Sequence, residues 1–176
     1  MRYVALLRAI NVGGHVVKMD RLRLIFESMR FANVETFIAS GNVLFDTRAG
    51  DRAALERRIE RRLEKELGYE VLTFLRTGAE LAEACTSHPF QDLEGTALSI
   101  AFLKTAPVAD AVDRVLRLAT PDDLLHLRAR ELYWLRRGNP LESNIWRTPI
   151  EKVVGTPATM RNVTTVSKLA AKLGPE

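Results

Sequence analysis

One pattern occurs twice along the chain, and it constrains the fold more than any other feature. Residues 2–76 read as strand, helix, strand, strand, helix, strand, and residues 97 to about 173 read as a looser second copy. Tyr3 to Ile10 is an apolar run, too short for a typical helix, that stops at the turn Asn11-Val12-Gly13-Gly14. Both of its alternating faces are apolar, as in a strand covered on both sides. Met19, Leu22, Ile25, Phe26 and Met29 follow helical spacing, which predicts a helix over about 18–30. Val34–Ala39 and Val43–Asp46 flank Ser40-Gly41-Asn42, a hairpin turn with glycine at its centre. Leu55, Ile59, Leu63 and Leu67 recur every four residues before Gly68, a natural helix stop, and Val71–Arg76 closes the unit as a strand.

The order βαββαβ is the split βαβ of a ferredoxin-like plait. The expected class is therefore α+β, with two plait lobes, the second less regular. Residues 1–76 form the N-terminal ferredoxin-like lobe, 77–96 a connecting helix and loop, and 97–176 a C-terminal α+β lobe with a terminal helix. Thr77-Gly78-Ala79-Glu80 is a capping box that starts the connecting helix, and Ser87-His88-Pro89-Phe90 ends it. In the second lobe Leu98, Ile100 and Phe102 alternate in a strand, and Val108, Val112, Val115 and Leu116 predict a helix over 108–118. Leu124–Arg128 and Leu132–Arg136 read as a hairpin, Thr148-Pro149-Ile150-Glu151 as a second capping box, and Ala158–Arg161 as an edge strand. Val163–Leu173 is the last helix, capped by Asn162 or Thr164. Tyr3, Phe45, Tyr133, Trp134 and Trp146 are expected as packing residues.

Composition narrows the class. No apolar run approaches the ~20 residues of a membrane helix. The apolar start is interrupted at Arg8, too early for a signal peptide, so the expected location is the cytoplasm with no membrane partner. Cys85 stands alone, which excludes an internal disulfide and a cysteine-rich metal site. The net charge is +4, and basic residues are interleaved with acids. Glu56, Glu60 and Glu64 form one i,i+4 row beside Arg57, Arg61 and Lys65, a pattern expected of a solvated face.

In a split βαβ the first two strands run parallel, so the loops that leave them share an end of the sheet. Arg8, Asn11, Gly13 and Gly14 come from the first loop, and Ser40, Gly41 and Asn42 from the second. Glycines allow the backbone to approach a ligand, a following helix start favours negative charge, and arginine pairs with carboxylate or phosphate. The set suits a small anion. The competing reading is that the glycines only turn the chain and Ser-Gly-Asn only closes a hairpin. Arg161 and Asn162 head a second polar cluster, read either as a further anion contact or as a plain helix cap. His15 sits in the glycine loop as a candidate acid/base group. Cys85 with His88 reads as a buried inert thiol rather than a nucleophile pair, and the histidines lack metal-ligand spacing. The RNA-binding consensus of plait proteins is absent.

The blocks Leu6-Leu7-Arg8-Ala9-Ile10-Asn11-Val12-Gly13-Gly14 and Phe37-Ile38-Ala39-Ser40-Gly41-Asn42-Val43-Leu44-Phe45 resemble a bacterial family catalogued as domain of unknown function 1697. His88-Pro89-Phe90 is similar to its Asn-Pro-Phe, and Ala158 to Leu169 is similar to its TTRNWNTVxKL ending. Ala9 stands where the family has glycine, and Ala39 where it has glutamine. The resemblance implies two ferredoxin-like units and no assigned activity. It draws attention to Arg8–Gly14, Ser40–Asn42 and Arg161–Thr165. The resulting expectation is a soluble binding protein for a small anionic ligand such as a nucleotide or phosphate compound. The alternatives are an enzyme using Arg8 for charge stabilisation, and a nucleic-acid or protein interaction module. The residues name no cofactor and leave the oligomeric state open.

Overall fold

The structure is a computed structural model that describes all residues except 12, 39–40, 49, 94–96, 140 and 175–176. It contains two four-stranded antiparallel sheets with the same strand order. The first unit runs β1 (Arg2–Leu7), α1 (Met19–Ser28), β2 (Ala32–Thr36), β3 (Asn42–Asp46), α2 (Arg52–Leu67), β4 (Thr73–Arg76) and α3 (Gly78–Thr86). The second sheet's repeat runs β5 (Ala97–Leu103), α4 (Ala111–Leu116), β6 (Asp123–Arg128), β7 (Glu131–Arg136), α5 (Ile150–Val154) and β8 (Ala158–Asn162), with a 3-10 turn at Ile145–Arg147 before α5, and α6 (Val163–Leu173) ends the chain's elements. The orders β2-β3-β1-β4 and β6-β7-β5-β8 are the plait order repeated, as the sequence pattern requires.

The compact units are Met1–Leu81 with Leu169–Glu176, and Ala82–Lys168. Their boundaries fall inside α3 and α6 rather than at residues 76 and 97. The reason lies at Gly78. A Cβ there would stand 2.3 Å from the Gly174 carbonyl oxygen and 3.0 Å from Leu173 Cβ, so the end of α6 packs directly on the start of α3. Lys172 pairs with Glu35 and lies 5.5 Å from the Phe37 ring, which ties the same end to β2.

Strand β1 is central, between β3 and β4, and Tyr3 to Leu7 are all buried. Tyr3, Ala5 and Leu7 face the helices α1 and α2, where Leu22, Phe26, Leu55, Ile59 and Leu63 fill the core. Phe45 anchors an aromatic group, with the Phe31 and Phe26 rings 4.4 and 5.5 Å from it. Strand β2 lies two residues earlier than its apolar pattern suggests. The backbone of Asn33 is left-handed and the β2–β3 register shifts between Ala32 and Glu35, so the strand starts at Ala32; Ile38, at φ +57°, has already left it.

Helix α2 begins at Asp51, whose side chain accepts from Ala54 N–H (3.0 Å), and stops at Gly68, φ +83°. Glu64, Arg57, Arg61 and Lys65 are exposed, as a solvated face requires, but the other two acids of the row are not. Glu56 is 5% exposed and accepts from Leu75 N–H (2.8 Å), while Glu60 accepts from Thr73 N–H (2.9 Å). These N–H groups lie on the outer side of edge strand β4. The fit is metric. Residues two apart in a strand are separated by roughly 6.6 Å, and residues four apart in a helix rise by roughly 6 Å. Consecutive carboxylates on α2 therefore meet consecutive outward N–H groups on β4.

In the second unit the helix predicted over 108–118 is shorter, and its buried side chains are Ala111 and Val115. Val108, Val112 and Leu116 are exposed instead, because the short helix meets the sheet through its small residues. Trp134 is buried as expected, whereas Trp146 is 57% exposed and covers Trp134 edge-on, with ring centres 4.6 Å apart. No helix among the described residues is long and apolar enough to cross a membrane.

Hydrogen bonds to charged groups contribute roughly 1.5–3 kcal/mol each. Glu56→Ala is expected to cost about 2–3 kcal/mol on that scale, and Glu56→Gln, which keeps an acceptor, clearly less. Urea denaturation checks both; equal costs would show that a neutral acceptor replaces nothing of the carboxylate's contribution.

Candidate functional site

Strand β1 ends at Leu7 and β2 at Thr36, and the segments that follow them meet. Leu7 N–H donates to the Gly41 carbonyl (2.7 Å) and Phe37 N–H to the Asn42 carbonyl (2.9 Å). Gly41 is required there twice over. Its φ is +74°, and a Cβ would lie 2.6 Å from Ile10 Cγ2 and 3.3 Å from the Leu7 carbonyl. The hairpin turn thus sits against the first loop, as the topology demands. Ser40 lies outside the described residues.

The remaining residues divide by what their side chains do. Asn42 is fully buried and donates to the Phe37 carbonyl (3.0 Å), so its side chain holds the turn from inside. Asn11 accepts from Val17 N–H (2.8 Å) and fixes the loop. Gly13 and Gly14, at φ +68° and +85°, are exposed, with open space where a side chain would be. His15 is exposed and stacks on Tyr69, ring centres 3.9 Å apart. Burial raises the Tyr69 phenol, against the influence of Arg21, so it stays neutral and donates to the Ile10 carbonyl (2.8 Å). Arg8 is half-buried, and its main-chain N–H donates to the Leu72 carbonyl (2.9 Å). Ala9 stands at φ +60°, a conformation that suits glycine.

Arg161 and Asn162 belong to β8 in the second unit. Asn162 accepts from Thr165 N–H (2.7 Å) and caps α6. Arg161 is opposite Ile100 and donates to Thr159 Oγ1 (2.9 Å) and the Met160 carbonyl (2.8 Å). Burial pushes its guanidinium down to about 10, so it keeps its charge at neutral pH.

A counterpart of Arg161 escaped the sequence reading. Arg76 is the last residue of β4, as Arg161 is the last but one of β8; it lies opposite Val4 on the face turned away from α1 and α2, and is 1% exposed. It too donates to the preceding carbonyl, that of Leu75 (3.0 Å). Each arginine precedes a helix-capping residue. Thr77 Oγ1 accepts from Glu80 N–H (3.3 Å), and Glu80 accepts from Thr77 N–H (2.8 Å). Burial works against the Glu80 carboxylate, but the Arg52 side chain at 2.6 Å and the Thr77 N–H outweigh it and hold it below the usual carboxylate range. The signal was present as Arg76-Thr77 and Arg161-Asn162, the same step at the end of each repeat.

The second unit also gathers His88, His126 and Tyr133, which no sequence spacing connects. The Tyr133 ring lies 5.5 Å from His88 and 6.2 Å from His126. His88 Nδ1 accepts from Phe90 N–H (3.1 Å). Burial, then Glu131, pushes the Tyr133 phenol up to about 12. Burial raises the Cys85 thiol, which makes it a poor nucleophile at neutral pH. Among the described residues no group of three or more His, Cys, Asp or Glu is placed to hold a metal.

Fold and site together define a duplicated ferredoxin-like α+β protein whose first repeat carries a glycine-rich loop end. The chain belongs to the DUF1697 family of proteins of unknown function, whose model matches residues 1–133. No curated protein matches it. The structure of a conserved bacterial protein, SP0830 from Streptococcus pneumoniae, superimposes with a TM-score of 0.80 at 22% identity, covering 98% of each chain. That likeness establishes the duplicated fold over the whole length.

Three outcomes test this geometry. Ala9→Gly is expected to stabilise the protein by about 1 kcal/mol, since a left-handed non-glycine residue costs about 1–2 kcal/mol. Gly41→Ala should destabilise it by more than that, adding a clash to the same backbone cost; thermal melts measure both. Burial, helped by Arg128 and His88, lowers His126 below the ordinary histidine value, so the unfolded state binds more protons near pH 6. The stability it contributes is full above about pH 6.5 and is lost as pH falls through its folded pKa. Histidine proton shifts followed by NMR against pH, with melts at pH 5 and 7.5, check the sign.

Proposed function

We propose that this chain is a binding protein for a small phosphate-bearing anion, such as a nucleotide, taken up where the two loops of the first unit meet. One observation carries the reading: Gly13 and Gly14 hold positive φ with open space around them, in the loop that Arg8 begins, which suits main-chain N–H groups to an anion. Asn11 and Gly41 contribute by fixing the loops rather than by touching the ligand. Arg161 and Asn162 are kept outside this reading: Arg161 donates to Thr159 and Met160 of β8, and Asn162 caps α6. A cytoplasmic setting, where phosphorylated metabolites are abundant, suits the proposal.

A second reading, an enzyme using Arg8 for charge stabilisation, is favoured by His15, which Tyr69 holds at the rim of the loop. Turnover of a bound compound would separate it from plain binding.

The experiment is a thermal-shift screen against nucleotides, pyrophosphate, phosphosugars and simple carboxylates. A ligand at 100 times its dissociation constant adds about 2.7 kcal/mol of stability. A phosphate compound is expected to raise the melting temperature of the wild type, and Arg8→Ala to remove that shift, each measured against its own unliganded melting temperature. No shift with any phosphate compound, or an undiminished shift in Arg8→Ala, would overturn the proposal.

A further inference from the structure

A second cationic feature lies apart from the loops and shares no residue with them. Arg58, Arg61, Arg62 and Lys65 line a groove of about 360 Å³, completed by Ser28 and Met29 at the end of α1. These positions lie three and four apart on one face of α2 and extend along roughly 10 Å of its axis. No carboxylate lines the groove. Arg58 is held in place: it donates to the Met29 carbonyl (2.5 Å) and lies 5.1 Å over the Phe31 ring. Arg62 pairs with Glu66 (3.0 Å), yet its Nε is buried and donates to no acceptor. Arg61 and Lys65 are exposed, and no described acid pairs with them. The cause is on the other side of the helix. Glu56 and Glu60 are turned to the β4 edge, so these two acids do not offset the charge of this face, where Glu66 pairs with Arg62.

We propose that the groove docks the phosphate backbone of a nucleic acid without reading its sequence. The lining supplies guanidinium and ammonium donors in a row, which fits a linear run of phosphates. It supplies no amide side chain for a base edge, and the Phe31 ring is covered by Arg58, so neither base readout nor stacking is provided. A small phosphorylated ligand is bound by enclosure and converging donors; here the donors lie in line on a helix surface.

The test is fluorescence anisotropy of a labelled 20-residue DNA, single-stranded and duplex, with the full chain over a range of salt. Each phosphate contact on duplex DNA steepens the log–log salt dependence by about 0.9, so three to four contacts give a slope near about −3. The double variant Arg61→Ala/Lys65→Ala is expected to lose about two of that slope and about tenfold or more in affinity at low salt. Both side chains are exposed, so the fold is kept, and the melting temperature verifies it. The control Arg117→Ala/Lys152→Ala removes the same charge from exposed positions in the second unit and is expected to bind as the wild type does. The proposal is overturned by absence of binding at low salt, by an unchanged slope in the groove variant, or by an equal loss in the control. Saturable binding of inorganic tripolyphosphate without binding of DNA overturns it too.

Discussion

Two carboxylates set the rotation of α2 about its own axis, and much of the first unit follows from that rotation. Glu56 and Glu60 bond the outer N–H groups of Leu75 and Thr73. A buried carboxylate needs donors and an edge strand needs acceptors, so each requirement answers the other. With the glutamates held there, Leu55, Ile59 and Leu63 point into the core, and Arg58, Arg61, Arg62 and Lys65 point toward the end of α1. Core, edge and basic groove are three readings of one helical phase. An exposed β4 edge would also be a template for pairing with other chains, and the helix closes it without adding a strand.

The loop end of the first sheet is shaped by main chain more than by side chains. Gly13, Gly14 and Gly41 have positive φ, and so do Ala9 and Ile38. Asn42 and Asn11 spend their amides on neighbouring backbone groups. Gly13, Gly14 and the ring of His15 are exposed there. The left-handed turn at position 9 belongs to the fold, and alanine bears its cost there.

The strand order, the repeat and the helix ends were legible in the residues. Periodicity two and periodicity near four are local, and capping residues act within four positions, so Asp51, Thr77, Asn162 and Gly68 announce their roles directly. The facing loops were legible as well, because they follow from parallel β1 and β2. The purpose of Glu56 and Glu60 was not. An i,i+4 acidic row looks the same whether water or a strand edge accepts it, and only tertiary placement decides. Asn42 misled for a similar reason: an asparagine beside a turn glycine can face a ligand or the backbone. In α4 the larger apolar residues stayed outside because a six-residue helix can meet the sheet through Ala111 and Val115 alone. The His88, His126 and Tyr133 group joins residues from a loop and two strands, and no spacing rule reaches that far.

The close packing of Gly78 on Gly174 has a consequence in time. Most of the first unit leaves the ribosome before the second, yet its fold includes Leu173 and Gly174. At roughly 5–20 residues per second, the segment that packs on Gly78 is made about 5–20 s after Gly78 itself. The second unit is contiguous in sequence and has all its parts sooner after its own first residue. During synthesis the first unit therefore waits with the start of α3 uncovered while the second completes, and a nascent chain stalled before residue 169 would carry a closed second unit beside an unfinished first one.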